Sequence, residues 1–221
     1  MSRPRYDGVA EWYEEFRPSL TPDELNALQR LLGRGSGRCL DVGCGTGVGT
    51  AVVAGLGWST VGIDVSRDLL EIAEARGLEV VRGSAEALPF DDATFDAAVS
   101  VWTHTDVDDF SAVAGEVARV LRADAPFVYV GGHPCFVGPH SLFLGAEGIP
   151  ELHPGYRPTR RYDDSAPGVG NPEGLRARVG AVHLTLEDFV KTFVAADLRI
   201  ERFEELGDRD YPYLVALRAR R

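Results

Sequence analysis

The chain has 221 residues, 44% of them hydrophobic, and its 34 acidic and 23 basic side chains give a formal net charge of −11. That length suits one domain with room for an insertion, and the composition is too apolar for a disordered chain. The acidic balance, with arginines scattered rather than clustered, argues against a partner bound through its phosphate backbone, which calls for a basic face.

In chain order, the first 37 residues hold two amphipathic helical stretches, Asp7–Phe16 and Pro22–Leu32. Thr21 is placed to cap the second, with Pro22 at its first position. From Arg38 onward, short apolar runs alternate with helix-period segments. Strands are expected at Arg38–Val42, Ser59–Ile63, Leu78–Val81, Phe95–Val101 and Pro126–Val130, and helices at Val48–Leu56, Arg67–Arg76 and Phe110–Leu121. Strands apolar throughout suit a parallel sheet covered on both faces, and the βαβα order implies an α/β, Rossmann-like doubly wound sheet. Residues 132–180 are rich in Gly, Pro, Arg and His and lack periodicity, which marks a functional loop or an undetected helix. A capped helix at Thr185–Ala196 and strands at Leu198–Phe203 and Tyr211–Arg218 complete the pattern.

No apolar stretch approaches the roughly 18 residues of a membrane span, and no apolar run follows Met1-Ser2-Arg3-Pro4-Arg5 as a signal peptide requires. A cytoplasmic protein with neither membrane nor nucleic acid as partner is expected. Cys39, Cys44 and Cys135 suggest no disulfide framework.

Leu40-Asp41-Val42-Gly43-Cys44-Gly45-Thr46-Gly47 follows the first strand and opens a helix. Glycines there permit a sharp turn and close approach of a ligand to the main chain, and a helix N-terminus favours a negative group. No Gly-Lys-Ser/Thr follows, so this is not a P-loop. The dinucleotide fingerprint fails as well, because Val48 or Thr50 falls at its third glycine. Asp64 at the tip of the second strand is placed to accept both hydroxyls of a ribose. Together these features suit a nucleoside with an amino-acid tail and no pyrophosphate.

The sequence here resembles the class I S-adenosylmethionine-dependent methyltransferases of the small-molecule type. Residues 40–47 match that family's first motif, Val-Gly-Ile-Asp-Val-Ser (61–66) its ribose-binding turn, and Gly-Ser-Ala-Glu-Ala-Leu-Pro-Phe (83–90) and Phe-Asp-Ala-Ala-Val-Ser (95–100) its next two landmarks. The resemblance spans roughly residues 35–132. It implies a seven-stranded sheet, mostly parallel with the last strand antiparallel, and S-adenosyl-L-methionine as cofactor, with S-adenosyl-L-homocysteine as product. It further implies a single methyltransferase domain: a helical lid (1–37), a cofactor-binding core (38–132), a substrate-side insertion (133–183), and a terminal helix and strands (184–221). By the same resemblance, Gly43, Gly45 and Gly47 shape the loop under the methionine moiety and Asp41 lies near its ammonium. Asp64 binds the ribose, Val65 and Ser66 lie beside the adenine, and Ser84 and Ala85 cover its other edge. Many relatives have an aspartate where Ser84 stands, and an uncharged hydroxyl makes that contact weaker. Val101, Trp102 and Thr103 border the sulfonium, and Tyr13, in the stretch Tyr6–Tyr13, closes over the cofactor.

A hydroxyl, phenol or amine acceptor needs its proton removed, for which a positioned histidine contributes typically ~10²–10⁴-fold, whereas a carboxylate needs no base. His104, His133, His140 and His153 fall at or beyond the carboxyl end of the fourth strand, the edge where open α/β sheets bind ligands. His104 is the first candidate base and His133 the second; the alternative for each is a loop histidine bonded to backbone or water. His183 reads as structural. The spacing of His133, Cys135 and His140 matches no zinc pattern, so no metal is expected. Trp102, Trp12, Tyr6 and Tyr13 are candidates to face the sulfonium through a cation–π contact, although Trp12 and Tyr13 also suit packing of an amphipathic helix. Asp106–Asp109 suits a helix cap. Phe136, Phe143, Tyr156 and Tyr162 of the insertion are candidate walls of an aromatic or lipophilic pocket, and three Pro turns are expected to hold that segment irregular.

The function expected is methyl transfer to a small organic molecule, at oxygen, in specialised metabolism. No Asn-Pro-Pro-Tyr follows the fourth strand, where amide N-methylating relatives hold their target amine. N- or carboxyl-methylation, or a cyclisation using the sulfonium only as an electrostatic element, are the alternatives, and a non-catalytic binding module ranks last. Monomer and homodimer stay open.

Overall fold

The computed structural model describes residues 4–143, 149–162, 165–169 and 171–221. Two N-terminal helices, α1 (Ala10–Phe16) and α2 (Pro22–Leu32), precede β1 (Arg38–Val42), α3 (Val48–Gly55), β2 (Ser59–Asp64), α4 (Arg67–Ala75) and β3 (Val80–Arg82). Then come β4 (Ala97–Val101), α5 (Phe110–Val120), β5 (Pro126–Gly132), the short helix α6 (Leu175–Val179), α7 (Leu186–Ala195), β6 (Arg199–Leu206) and β7 (Leu214–Arg220). The seven strands form one sheet in the order β6-β7-β5-β4-β1-β2-β3. β1 to β5 pair parallel, and β7 runs antiparallel to both β5 and β6. This is the doubly wound sheet with one reversed strand that the sequence implies. The first crossovers run outward from β1 to β3 and the chain then returns to β4, so the order reverses between β1 and β4, where such sheets open a ligand crevice.

Alternation along each strand fills both faces. Leu40, Ala98, Phe127, Tyr129, Val215 and Leu217 pack with Val113 and Val117 of α5 and Phe189 and Phe193 of α7. On the other face Cys39, Ala97, Val99, Val128, Val130 and Ala216 pack with Leu28 and Leu31 of α2 and Val53 of α3. Thr21 caps α2 as expected and completes a reciprocal capping box with Glu24.

Differences from the sequence reading concentrate at element ends and in the insertion. The third strand starts two residues later and ends one later than expected, at Val80–Arg82, after Gly77 at φ 78° turns the chain out of α4. Phe95 makes only an isolated bridge to Leu121 before β4 begins. The insertion is less irregular than its composition implies: Ser141–Phe143 pairs with Pro150–Leu152, and Arg160–Tyr162 with Ala181–His183. These three-residue strands are too short for a period-2 pattern to stand out.

Candidate functional site

The loop from β1 into α3 is built by backbone conformations that side chains resist. Gly43, Gly45 and Gly47 have φ of 71°, 54° and 83°, a region open mainly to glycine. A Cβ on Gly43 would stand 2.5 Å from the Thr103 hydroxyl. The Gly43 and Cys44 N–H groups donate to the Ile63 carbonyl at 2.9 and 3.0 Å, strapping the loop to β2. Asp64, ending β2, accepts from the N–H groups of Gly45 at 3.0 Å and Ser66 at 2.9 Å. Asp41 is 2% exposed and accepts from the Thr50 hydroxyl at 2.6 Å. Burial pushes both carboxyls up to about 6, since a desolvated carboxylate is disfavoured.

Two cavities open from this loop. The larger, about 660 Å³, is bordered by Gly43, Gly45, Asp64, Val65, Ser66, Ser84, Ala85, Val101, Trp102 and Thr103, and by Arg5, Tyr6 and Tyr13 from the N-terminus. The smaller, about 60 Å³, is bordered by Asp41, Gly43, Gly45, Val101, Trp102, Tyr13 and Arg17. Gly47 borders neither and instead starts α3. Every other residue that the resemblance assigns to the cofactor lies on one cavity or both.

The N-terminal segment crosses this groove on polar contacts. Tyr6 donates to Asp106 at 3.1 Å, Ser66 to Asp7 at 2.6 Å, and the Gly8 N–H to Asp68 at 2.6 Å. From the insertion, Arg176 pairs with Asp106 at 2.8 Å, and Arg178 lies over Trp12, 4.3 Å from its ring centroid. Trp12 stacks on Phe16 and borders neither cavity, so it packs the helix instead of facing the groove. Asp109 caps α5 through the N–H groups of Ser111 and Ala112, whereas Asp106 and Asp108 border the larger cavity.

The histidines depart from expectation. Trp102 takes the left-handed conformation, φ 66°, and Thr103–Thr105 form a 3-10 turn. This turn aims Trp102 at the cavities and His104 into the core. His104 is 3% exposed, packs edge-on against Phe110, Tyr129 and Phe189, and pairs through Nδ1 with the Tyr129 hydroxyl. Burial pushes it down to about 3, and it borders neither cavity. His133 is also buried. Its Nδ1 accepts from the Cys135 N–H at 3.1 Å and its Nε2 meets Glu205 at 2.8 Å, so both nitrogens are engaged away from the groove. His104 is thus a core histidine bonded to a tyrosine hydroxyl rather than to backbone or water, and His133 meets one backbone N–H and one carboxylate. Phe136 packs on His133 and Tyr211, Tyr156 on His140 and His183, and Tyr162 is buried; none of the three borders the two cavities. The Phe143 side chain lies outside the described residues. Among the described residues no group of three or more His, Cys, Asp or Glu is arranged to hold a metal ion.

The sequence reading missed Arg17, which ends α1, and Glu24, which reads in sequence as nothing more than the third residue of a helix. Glu24 is 1% exposed. Arg17 Nη2 lies 2.9 Å from both its oxygens, and the indole N–H of Trp102 donates to it.

Residues 40–129 match the methyltransferase domain family. The chain is 36% identical over 143 residues to the fatty-acid O-methyltransferase of Mycolicibacterium smegmatis, covering 55% of this chain and 51% of that protein. It is 36% identical over 108 residues to the O-methyltransferase cnsE of Penicillium expansum, covering 43% and 39%. The chain thus spans about half, or less, of the length of these curated relatives. A solved structure of an S-adenosylmethionine dependent methyltransferase from Mesorhizobium loti superimposes with a TM-score of 0.73 at 23% identity, over 97% of this chain and 99% of that one. At that identity the likeness establishes the fold. No described helix is long and apolar enough to cross a membrane.

Proposed function

We propose that the chain, whose residues 40–129 match the methyltransferase domain family, is a class I S-adenosylmethionine-dependent methyltransferase that methylates a small organic molecule, at oxygen, in specialised metabolism. The observation that carries this reading is the pair of carboxylates, buried Asp41 and half-buried Asp64, set on the two cavities either side of a glycine loop. One suits an ammonium and the other a pair of hydroxyls, as on the amino-acid tail and the ribose of S-adenosylmethionine. When bound, that cofactor supplies an electrophilic methyl group on a sulfonium.

The chain's own residues then hold and orient. Asp64 accepts from the ribose hydroxyls, Val65, Ser84 and Ala85 flank the adenine, and Asp41 pairs with the ammonium. Trp102 and Tyr13 border both cavities and so flank the reacting centre. The segment from Arg5 to Tyr13, held by Asp106 and Ser66, serves as a lid that excludes water. Orientation of this kind can supply roughly 7–11 kcal/mol of barrier reduction. An acceptor oxygen that arrives ionised needs no base. One that arrives as a hydroxyl meets the carboxylates of Asp106 and Asp108 on the larger cavity, and neither His104 nor His133 is assigned the role. The oxygen-methylating relatives support attack by oxygen.

The test is calorimetric titration with S-adenosylmethionine and S-adenosylhomocysteine, followed by an assay for S-adenosylhomocysteine formation over small phenols, carboxylic acids and amines. Micromolar binding of both and turnover of an oxygen acceptor are expected. Absence of binding would overturn the reading, and exclusive turnover of amines would overturn its oxygen assignment.

A further inference from the structure

We propose that Glu24, which touches neither cavity, is a positioning residue that sets Arg17 and Trp102 together on the amino-acid end of the cofactor. This rests on the reading of the groove as an S-adenosylmethionine site.

Glu24 belongs to α2, Arg17 ends α1 and Trp102 follows β4, so the three meet only in the folded chain. The Glu24 carboxylate is 1% exposed, and a buried charge persists only when paired and hydrogen-bonded. It receives Arg17 Nη2, the Trp102 indole N–H and the Thr21 backbone N–H at 2.8 Å. The consequence for Arg17 is orientation. Only Nη2 is spent on Glu24, and Arg17 borders the smaller cavity beside Asp41, Gly43 and Gly45. Nε and Nη1 remain for an anion there, and a guanidinium fork matches a carboxylate. Asp41 and Arg17 therefore present opposite charges to one small space, the complement of a zwitterionic amino acid.

The consequence for Trp102 is a fixed ring. Its backbone sits at φ 66°, an outlier for a bulky residue that persists only where the surroundings over-determine it. Glu24 fixes the indole nitrogen, Arg17 lies 5.5 Å from the ring centroid, and Gly132 leaves room that a Cβ, 2.8 Å from the ring, would take. The neutral Glu24→Gln side chain keeps the shape but lacks the charge and one acceptor oxygen, so it cannot hold Arg17, Trp102 and the Thr21 N–H at once.

The test compares S-adenosylhomocysteine with 5′-methylthioadenosine, which has the same nucleoside and no amino-acid tail. In Glu24→Gln, affinity for S-adenosylhomocysteine should fall about tenfold while that for methylthioadenosine stays at the wild-type value. Trp102→Phe, which keeps a ring but removes the donor to Glu24, should shift the same ratio in the same direction. Unchanged S-adenosylhomocysteine affinity in both variants, or equal loss for both ligands, would overturn the proposal. Failure of the wild-type protein to bind either ligand would instead take down the cofactor reading, and this inference with it.

Discussion

The two ends of the groove are built differently. At the end proposed for the ribose, Asp64 is oriented by Gly45 and Ser66, all within residues 43–66, and strand pairing of β1 with β2 suffices to bring them together. At the end proposed for the amino-acid tail, Asp41 and the glycine loop are joined by Arg17, Glu24 and Trp102, from three elements spread over 86 positions. A binding feature made by a strand tip and the next turn is a property of local sequence. One made by a charge bridging distant elements is a property of the fold, so the two ends should respond differently to perturbation.

The largest effect belongs to the ribose end. Asp64→Ala removes the acceptor for two hydroxyls, and with charged hydrogen bonds worth about 1.5–3 kcal/mol each, affinity should fall about 100-fold or more. Calorimetry should find that loss for both S-adenosylhomocysteine and methylthioadenosine, which share the ribose. Loss confined to one ligand would break the assignment. Arg17→Met should act at the other end alone, weakening S-adenosylhomocysteine about 30-fold through loss of one charged contact and sparing methylthioadenosine.

That division also says why the sequence was legible where it was. The sheet, its order and the glycine loop follow from apolar runs, from glycines whose positive φ no other residue adopts cheaply, and from carboxylates at strand tips. Arg17 carries no such mark; one arginine among many near a helix end is a solvated charge until Glu24 is placed beneath it. His104 failed for a converse reason. It follows β4 as expected, but the left-handed Trp102 starts a 3-10 turn that leaves Thr103 on the larger cavity and sends His104 into the core. The insertion resisted because its polar contacts, such as Arg176 with Asp106, join residues 70 positions apart.

A smaller effect tests both ends together. Asp41 and Asp64 each sit at about 6 in the free protein, and both must be ionised to meet an ammonium and hydroxyl donors. Affinity for S-adenosylhomocysteine should therefore be level above pH 7 and fall as pH drops through 6, by about fourfold at pH 5.5 for each group. Asp41→Asn should flatten half of that slope. A pH-independent affinity between 7 and 5 would remove the charge argument from both ends.

The smallest effect on binding is expected at His104, and it separates the groove from the core beneath it. His104→Phe should leave cofactor affinity unchanged. It strands the Tyr129 hydroxyl, at about 1–3 kcal/mol of stability near pH 8. Acid should then erode the wild-type advantage. The folded histidine titrates at about 3 against about 6.5 unfolded, so below pH 6.5 the unfolded chain gains a proton that the folded one refuses. Stability falls across that window, by about 2 kcal/mol at pH 5, and the phenylalanine variant escapes this loss. Urea unfolding at pH 8 and pH 5 should show the gap between the two proteins shrinking or reversing. A gap that stays constant, or a variant with weakened cofactor binding, would return His104 to the groove.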